Sequence, residues 1–119
     1  MFSWRRFINS FRFAFRGFLS MMKAEQNFRL HVLAALVVVF FATYFQISIW
    51  QWCLIVLMIT AVFVLEIMNT IFERLVDMFK PRLHEYVGEI KDMMSATVLV
   101  TAMASVIIAV LIFLPYLLN

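Results

Sequence analysis

Residues 49–77 decide the fold: IWQWCLIVLMITAVFVL, Ile49 to Leu65, runs without a break into EIMNTIFERLVD, Glu66 to Asp77. The first part is apolar apart from Gln51 and Thr60, and it approaches the ~20 residues a helix needs to cross a bilayer. The second part sets Glu66, Asn69, Glu73 and Asp77 at offsets of three, seven and eleven, which on one helix form a single stripe about 80° wide. A spanning helix thus leads directly into a face bearing three carboxyls and an amide. One carboxylate at a membrane boundary costs on the order of a few kcal/mol, and a row of them costs more unless cations or hydrogen bonds compensate.

On either side of this stretch lie two more apolar runs. Leu30 to Phe45 is interrupted only by His31, Thr43 and Tyr44, and Met93 to Leu118 only by Ser and Thr hydroxyls, which can bond back to helix carbonyls, before ending near Pro115. The link between the first two spans, Gln46 to Gln51, is short and uncharged, so those helices form an antiparallel hairpin. Arg5, Arg6, Arg12, Arg16, Lys23 and Arg29 precede the first span, and Arg74, Lys80, Arg82 and Lys91 lie between the second and third. Those are all ten basic residues, and the positive-inside rule puts both groups in the cytoplasm and the carboxyl terminus outside.

The composition agrees. With 66% of its 119 residues hydrophobic and 14% charged, the chain cannot build a water-soluble surface around a core of this size. Two Gly and two Pro leave no linker or glycine-rich loop, and the single Cys53 has no intramolecular disulfide partner. The start, Met-Phe-Ser-Trp-Arg-Arg, is positive like a signal peptide, but Arg12, Arg16 and Lys23 interrupt the apolar residues after it, and the mature chain is expected to keep its start. At ~100° per residue, Arg5, Asn9, Arg12, Arg16 and Lys23 fall on one side of a helix. Trp4, Phe7, Ile8, Phe11, Phe15, Phe18, Leu19 and Met22 fall on another, a pattern that suits a helix lying in the membrane interface. Ala34, Ala35, Ala96, Ala102, Ala104, Ser105 and Ala109 offer small surfaces where helices can approach closely.

Three uses fit the acidic stripe: ion pairs with neighbouring helices, an ion pathway, or a divalent metal bound for phosphate chemistry. Mg²⁺ takes one or two protein carboxylates together with phosphate oxygens, which glutamates a turn or two apart can supply. Glu25, ahead of Phe28-Arg29, and Lys91-Asp92 with Ser95 lie at the same boundary. A lysine beside the acids suits a transferring phosphate, where electrostatic positioning supplies most of the catalysis. Asp92 is equally suited to a helix amino terminus, and Lys91 to interfacial anchoring. The residues alone leave these readings open. The chain has no Gly-x-x-x-x-Gly-Lys loop and is too short for a protein-kinase fold, so any phosphate binding falls to side chains and metal.

Taken together, these blocks resemble the prokaryotic diacylglycerol kinase family, small trimeric membrane enzymes that include the undecaprenol kinases. The resemblance is densest over Glu66-Ile-Met-Asn69-Thr-Ile-Phe-Glu73-Arg-Leu-Val-Asp77, then His84-Glu85 and Lys91-Asp92-Met-Met-Ser95-Ala96, with Arg16-Gly17 and Glu25-Gln-Asn-Phe28-Arg29 upstream. It implies an all-α integral membrane protein and a homotrimer with active sites near subunit contacts. Residues 1–28 would form an interfacial amphipathic helix, 30–46, 49–72 and 93–118 transmembrane helices, and 73–92 a cytoplasmic connection. It implies a kinase of the bacterial inner membrane that moves the γ-phosphate of ATP to a lipid hydroxyl. In that scheme Glu66 is the general base, Asn69 orients it, Glu25 and Glu73 hold Mg²⁺, and Asp77, Lys91, Asp92 and Arg6 surround the nucleotide.

The segment Asn27-Phe28-Arg29-Leu30-His31 is similar to the undecaprenol-kinase branch, where a His commonly follows, whereas diacylglycerol-specific relatives tend to carry an acid there. Undecaprenol is therefore the expected acceptor ahead of diacylglycerol, and no nucleic-acid partner is expected. The family often reads Asn-Thr-Ala-Ile-Glu where this chain has Asn69-Thr70-Ile71-Phe72-Glu73, and Lys80-Pro81-Arg82 adds charge and a rigid turn to the connection. Two rivals from other classes make different predictions. An ion or proton transporter subunit predicts flux without nucleotide, and a non-catalytic scaffold predicts tolerance of Glu73→Gln.

Overall fold

The computed structural model describes residues 1–82 and 85–119; His84, one of the motif residues, lies outside them. Four α-helices follow one another: α1 (Trp4–Ala24), α2 (Gln26–Tyr44), α3 (Ile49–Met78) and α4 (Val87–Leu118). α2, α3 and α4 are each long and apolar enough to cross a membrane. Only 11%, 22% and 6% of their most apolar stretches are buried within the chain, so most of that surface needs a cover from outside. The accessible area of 9262 Å² makes the same point, since a compact soluble chain of 14.0 kDa would expose about 6,700 Å².

α3 is the axis of the bundle, with α4 packed along it most extensively and α2 less so. The hairpin between α2 and α3 turns in four residues. Gln46 adopts φ 53°, the Ile47 amide donates to the Ala42 carbonyl at 3.2 Å, and the Gln46 amide donates to Thr43 at 3.2 Å. This double bond pattern is the Schellman closure of a helix carboxyl terminus, and the hydrophobic contact that accompanies it is present in the buried Ile47 and Ala42. α3 then starts on a capping box. The Gln51 amide donates to Ser48 Oγ at 3.3 Å, and the Ser48 amide donates to Gln51 Oε1 at 3.0 Å. Tyr116 of α4 also donates to Gln51 Oε1, at 2.8 Å, so the turn end of the bundle is pinned by one amide oxygen above a core of Ala42, Ile47, Ile55 and Ile112.

The opposite, acidic end is joined differently. α1 passes into α2 through a single extended residue, Glu25 (φ −113°, ψ 113°). The Arg29 guanidinium donates to the carbonyls of Met22 and Lys23 at 2.9 and 3.0 Å, satisfying oxygens that the end of α1 leaves open. Phe28, fully buried, meets Phe18 of α1 at 5.3 Å and Phe63 of α3 at 5.4 Å between ring centroids, tying three helices at one point. Beyond that point α1 leaves the bundle, and every residue from Ser10 to Ser20 is exposed.

Two expected boundaries shift. α3 continues past 72 to Met78, and α4 begins at Val87 rather than 93, so within the connection expected over 73–92 residues 73–78 and 87–92 are helical. A helix satisfies its backbone bonds internally and can pass from lipid to water without a break. At 1.5 Å per residue the 30 residues of α3 run about 45 Å, some 15 Å more than a hydrocarbon core, and the excess is the end that carries the acids. Cys53 is a free, exposed thiol on α3.

Candidate functional site

One face of α3 changes character along its length. Ile55, Ile59 and Val62 line a cavity of about 290 Å³ between α2, α3 and α4, closed on its other sides by Ala34 and Ala35 of α2 and Ala102 and Ser105 of α4. The same face continues as Glu66, Asn69, Glu73 and Asp77, at steps of three and four residues. The small residues that could have drawn the helices together instead leave this space. His31 lines the cavity and reaches across to the acids, its Nε2 3.1 Å from Glu66 Oε1. Glu66 is only 4% exposed, as is Thr70 one turn on. The changeover from apolar to acidic therefore falls at a buried carboxyl group that a histidine holds from the neighbouring helix.

Further along, Asn69 Nδ2 donates to Glu73 Oε1 at 3.3 Å, while Asn69 Oδ1 is buried with no donor among the described residues. Lys91, in the first turns of α4 and ahead of the apolar run that starts at Met93, meets Asp77 Oδ1 at 2.7 Å. That hydrogen bond raises the Lys91 ammonium above the ordinary lysine value; burial opposes it, and the charges of Asp77 and Glu73 add to it. Asp77 and Lys91 are thus each other's partners, in a pair open to solvent.

The remaining expected site residues are spread more widely. Glu25 sits half-buried at the α1–α2 junction, and its side chain makes no capping bond. Asp92 is exposed beside Lys91. Arg6 is exposed in the first turn of α1, about 28 Å along the helix from Glu25, so one chain does not bring these two together. Among the described residues no three Asp, Glu, His or Cys side chains converge as a closed metal centre. A second cavity, of about 370 Å³, lies between α1 and α3 on the adjoining face, bounded by Gly17, Ser20, Thr70 and Arg74.

Sequence reasoning missed His31 as the partner of Glu66. The signal was in the hairpin: His31 lies seventeen residues before Ser48 and Glu66 eighteen after it, and antiparallel helices joined by a tight turn bring such positions to the same depth.

Comparison with known proteins bears on the chemistry of this site. Residues 12–113 match the family described as prokaryotic diacylglycerol kinase. The chain is 38% identical over 110 residues to the undecaprenol kinase of Bacillus subtilis (strain 168), covering 92% of this chain and 89% of that protein. It is 31% identical over 111 residues to a diacylglycerol kinase of Synechocystis sp., covering 92% of this chain and 63% of that longer protein. With the diacylglycerol kinase of Escherichia coli (strain K12) it shares 29% over 102 residues, 86% of this chain and 84% of that one. No solved structure gives a significant match.

Proposed function

The chain belongs to the prokaryotic diacylglycerol kinase family, a lipid kinase that uses ATP as phosphoryl donor, and from that premise we propose that its acceptor is undecaprenol in preference to diacylglycerol. Support for this acceptor comes from the 38% identity to an undecaprenol kinase over nearly the full length of both chains, against 29–31% for the diacylglycerol kinases. The observation that carries the site is the changeover on α3. An amphiphile with one hydroxyl on a long apolar chain can lie along the apolar face and bring its oxygen to Glu66, where the acids begin.

In this reading Glu66 is the general base; Asn69, expected to orient it, instead donates to Glu73 at 3.3 Å and keeps that adjoining acid in place. Glu66 takes the proton of the lipid hydroxyl as its oxygen bonds to the γ-phosphorus, and the bond from that phosphorus to the β–γ bridging oxygen breaks in line. The proton then leaves Glu66 for water, and ADP departs. Asp77, Lys91 and Asp92 line the nucleotide, with Lys91 turning ammonium hydrogens that Asp77 does not use towards the phosphates. Glu25 and Glu73 would hold Mg²⁺. The donor set fits a hard cation: two carboxylates, and beside Glu73 the buried Asn69 Oδ1 without a donor of its own. When bound, the ion neutralises charge on the phosphate oxygens. Arg6 has no place in the site of a single chain.

The assembly belongs to the same proposal. The exposed apolar surface of α2–α4 supports a chain embedded in lipid, the homotrimer rests on the family resemblance, and the split of basic and aromatic residues along α1 supports its lying in the membrane interface. The distribution of all ten basic residues supports an active site facing the cytoplasm and a carboxyl terminus outside a bacterial inner membrane.

The test is phosphate transfer from labelled ATP in mixed micelles offering undecaprenol and diacylglycerol side by side. Undecaprenol should carry most of the label, and Glu66→Gln should lower turnover by roughly 10² to 10⁴-fold, the range of a lost general base. Preferential labelling of diacylglycerol would overturn the acceptor, and unchanged turnover in Glu66→Gln would overturn the base.

A further inference from the structure

Among the described side chains, the one polar contact of the Glu66 carboxyl group is His31. The contact crosses from α2 to α3, and His31 is itself half-buried, so water competes weakly for either group. At 3.1 Å it is a hydrogen bond of ordinary length. An ionised carboxylate can only accept, so Nε2 must carry the hydrogen and donate it to Oε1. The other carboxyl oxygen, Oε2, is left without a donor among the described residues. The imidazole also lines the apolar cavity, where, among the described residues, Ser105 is the only other side chain bearing an O–H or N–H. A hydroxyl arriving along that cavity therefore meets His31 at its wall, with the Glu66 carboxyl group 3.1 Å beyond the imidazole and one helix turn past Val62 on the same face of α3.

We propose that His31 is a positioning residue for phosphoryl transfer: by donating from Nε2 to Oε1 of Glu66 it fixes the carboxylate so that Oε2 is the oxygen presented to the lipid hydroxyl. This rests on Glu66 being the base. A glutamate side chain on a helix has three rotatable bonds, and a base acts only within about 2.6–3.2 Å of the proton it takes. Holding one oxygen from a second helix removes that freedom and leaves the other oxygen free to accept the proton. A purely structural tie between α2 and α3 would need the same hydrogen bond, but it would serve a glutamine at position 66 as well as a glutamate, and its loss would lower the rate in both backgrounds.

The experiment is a kinetic cycle on the full chain in mixed micelles with ATP and undecaprenol. His31→Phe keeps a flat ring but removes the donor, and His31→Gln keeps an amide N–H of similar reach; each is made with Glu66 and with Glu66→Gln. With Glu66 present, His31→Phe should lower kcat by roughly 10- to 100-fold with the KM for ATP essentially unchanged, and His31→Gln should recover most of that loss. With Glu66→Gln, His31→Phe should change the residual rate by no more than about twofold, because residues acting as a unit are not additive. If His31→Phe does not fold, His31→Asn, whose amide is too short to span the contact, takes its place. A wild-type kcat in the donor-free variant, or an equal loss in both backgrounds, would overturn the inference while leaving Glu66 as base. Full activity in Glu66→Gln alone would remove both readings.

Discussion

Asn69 holds one of the two polar atoms of its amide in a bond and leaves the other buried with none, and an unpaired buried acceptor costs about 1–3 kcal/mol. Its position one turn before Glu73 gives that cost a use, since a cation drawn to the carboxylate would find a second oxygen waiting. The prediction belongs to Glu73. Glu73→Gln keeps an oxygen that can accept from Asn69 Nδ2 and so preserves the local bonding, but it removes the charge. Binding of a fluorescent ATP analogue in detergent should be strengthened by Mg²⁺ in the parent protein and indifferent to Mg²⁺ in the variant, with helical content unchanged; equal Mg²⁺ dependence in both would remove Glu73 from the metal site. At this scale the sequence was informative within a helix and silent between helices. The stripe of Glu66, Asn69, Glu73 and Asp77 could be read from spacing alone because one helix carries all four. For the pairs His31–Glu66 and Lys91–Asp77 spacing gives at most a shared depth, as the hairpin does for the first, and not that the side chains face each other, because each pair joins two helices whose rotation about their axes is set by packing. The bare Asn69 oxygen depends on a rotamer, which no spacing encodes.

The α2–α3 hairpin shows the same division among the elements. An uncharged link of a few residues between two apolar runs announces a tight turn, and the turn is there. That it closes by a left-handed residue is a matter of backbone geometry, and the chain places Gln at the position where Gly is usual. Left-handed backbone costs a non-glycine residue roughly 1–2 kcal/mol. Gln46→Gly should therefore stabilise the hairpin by up to about 1 kcal/mol, the loss of unfolded-state restriction offsetting part of the gain, measured as a rise in the SDS or thermal unfolding midpoint. A lower midpoint would mean that the Gln46 side chain contributes more than the strain removes. The lengths of α3 and α4 were less legible, because hydropathy marks where lipid ends and not where a helix does. The segment 73–92 read as a connection, yet residues 73–78 and 87–92 stay helical through bonds that polarity does not report. Among the small residues legible as close-approach surfaces, Ala34, Ala35, Ala102, Ser105 and Ala109 line the cavity, a distinction that depends on what stands opposite.

The whole molecule is a slender bundle, 57 × 43 × 26 Å, tied at two places: the aromatic contacts of the buried Phe28 with Phe18 and Phe63 near the acids, and the core of Ala42, Ile47, Ile55 and Ile112 under the turn. Between them the cavity face of α3 is only partly covered. An apolar exterior this large could be read from composition; which parts of it meet lipid and which meet another copy could not, because both are equally apolar. Cavity wall and acids share a single uninterrupted helix, so no joint lets the acidic end rise or sink independently of the part held in lipid. The helix works as a depth gauge, and the height of Glu66 relative to the surrounding headgroups is set by how thick the host bilayer is. In vesicles made from phosphatidylcholines of increasing acyl length, turnover at fixed surface concentration of acceptor should pass through a maximum and fall on both sides. A flat profile would mean that the bundle tilts to keep its depth. A peaked one would make membrane thickness, a property of the lipids that never react, a control on the one that does.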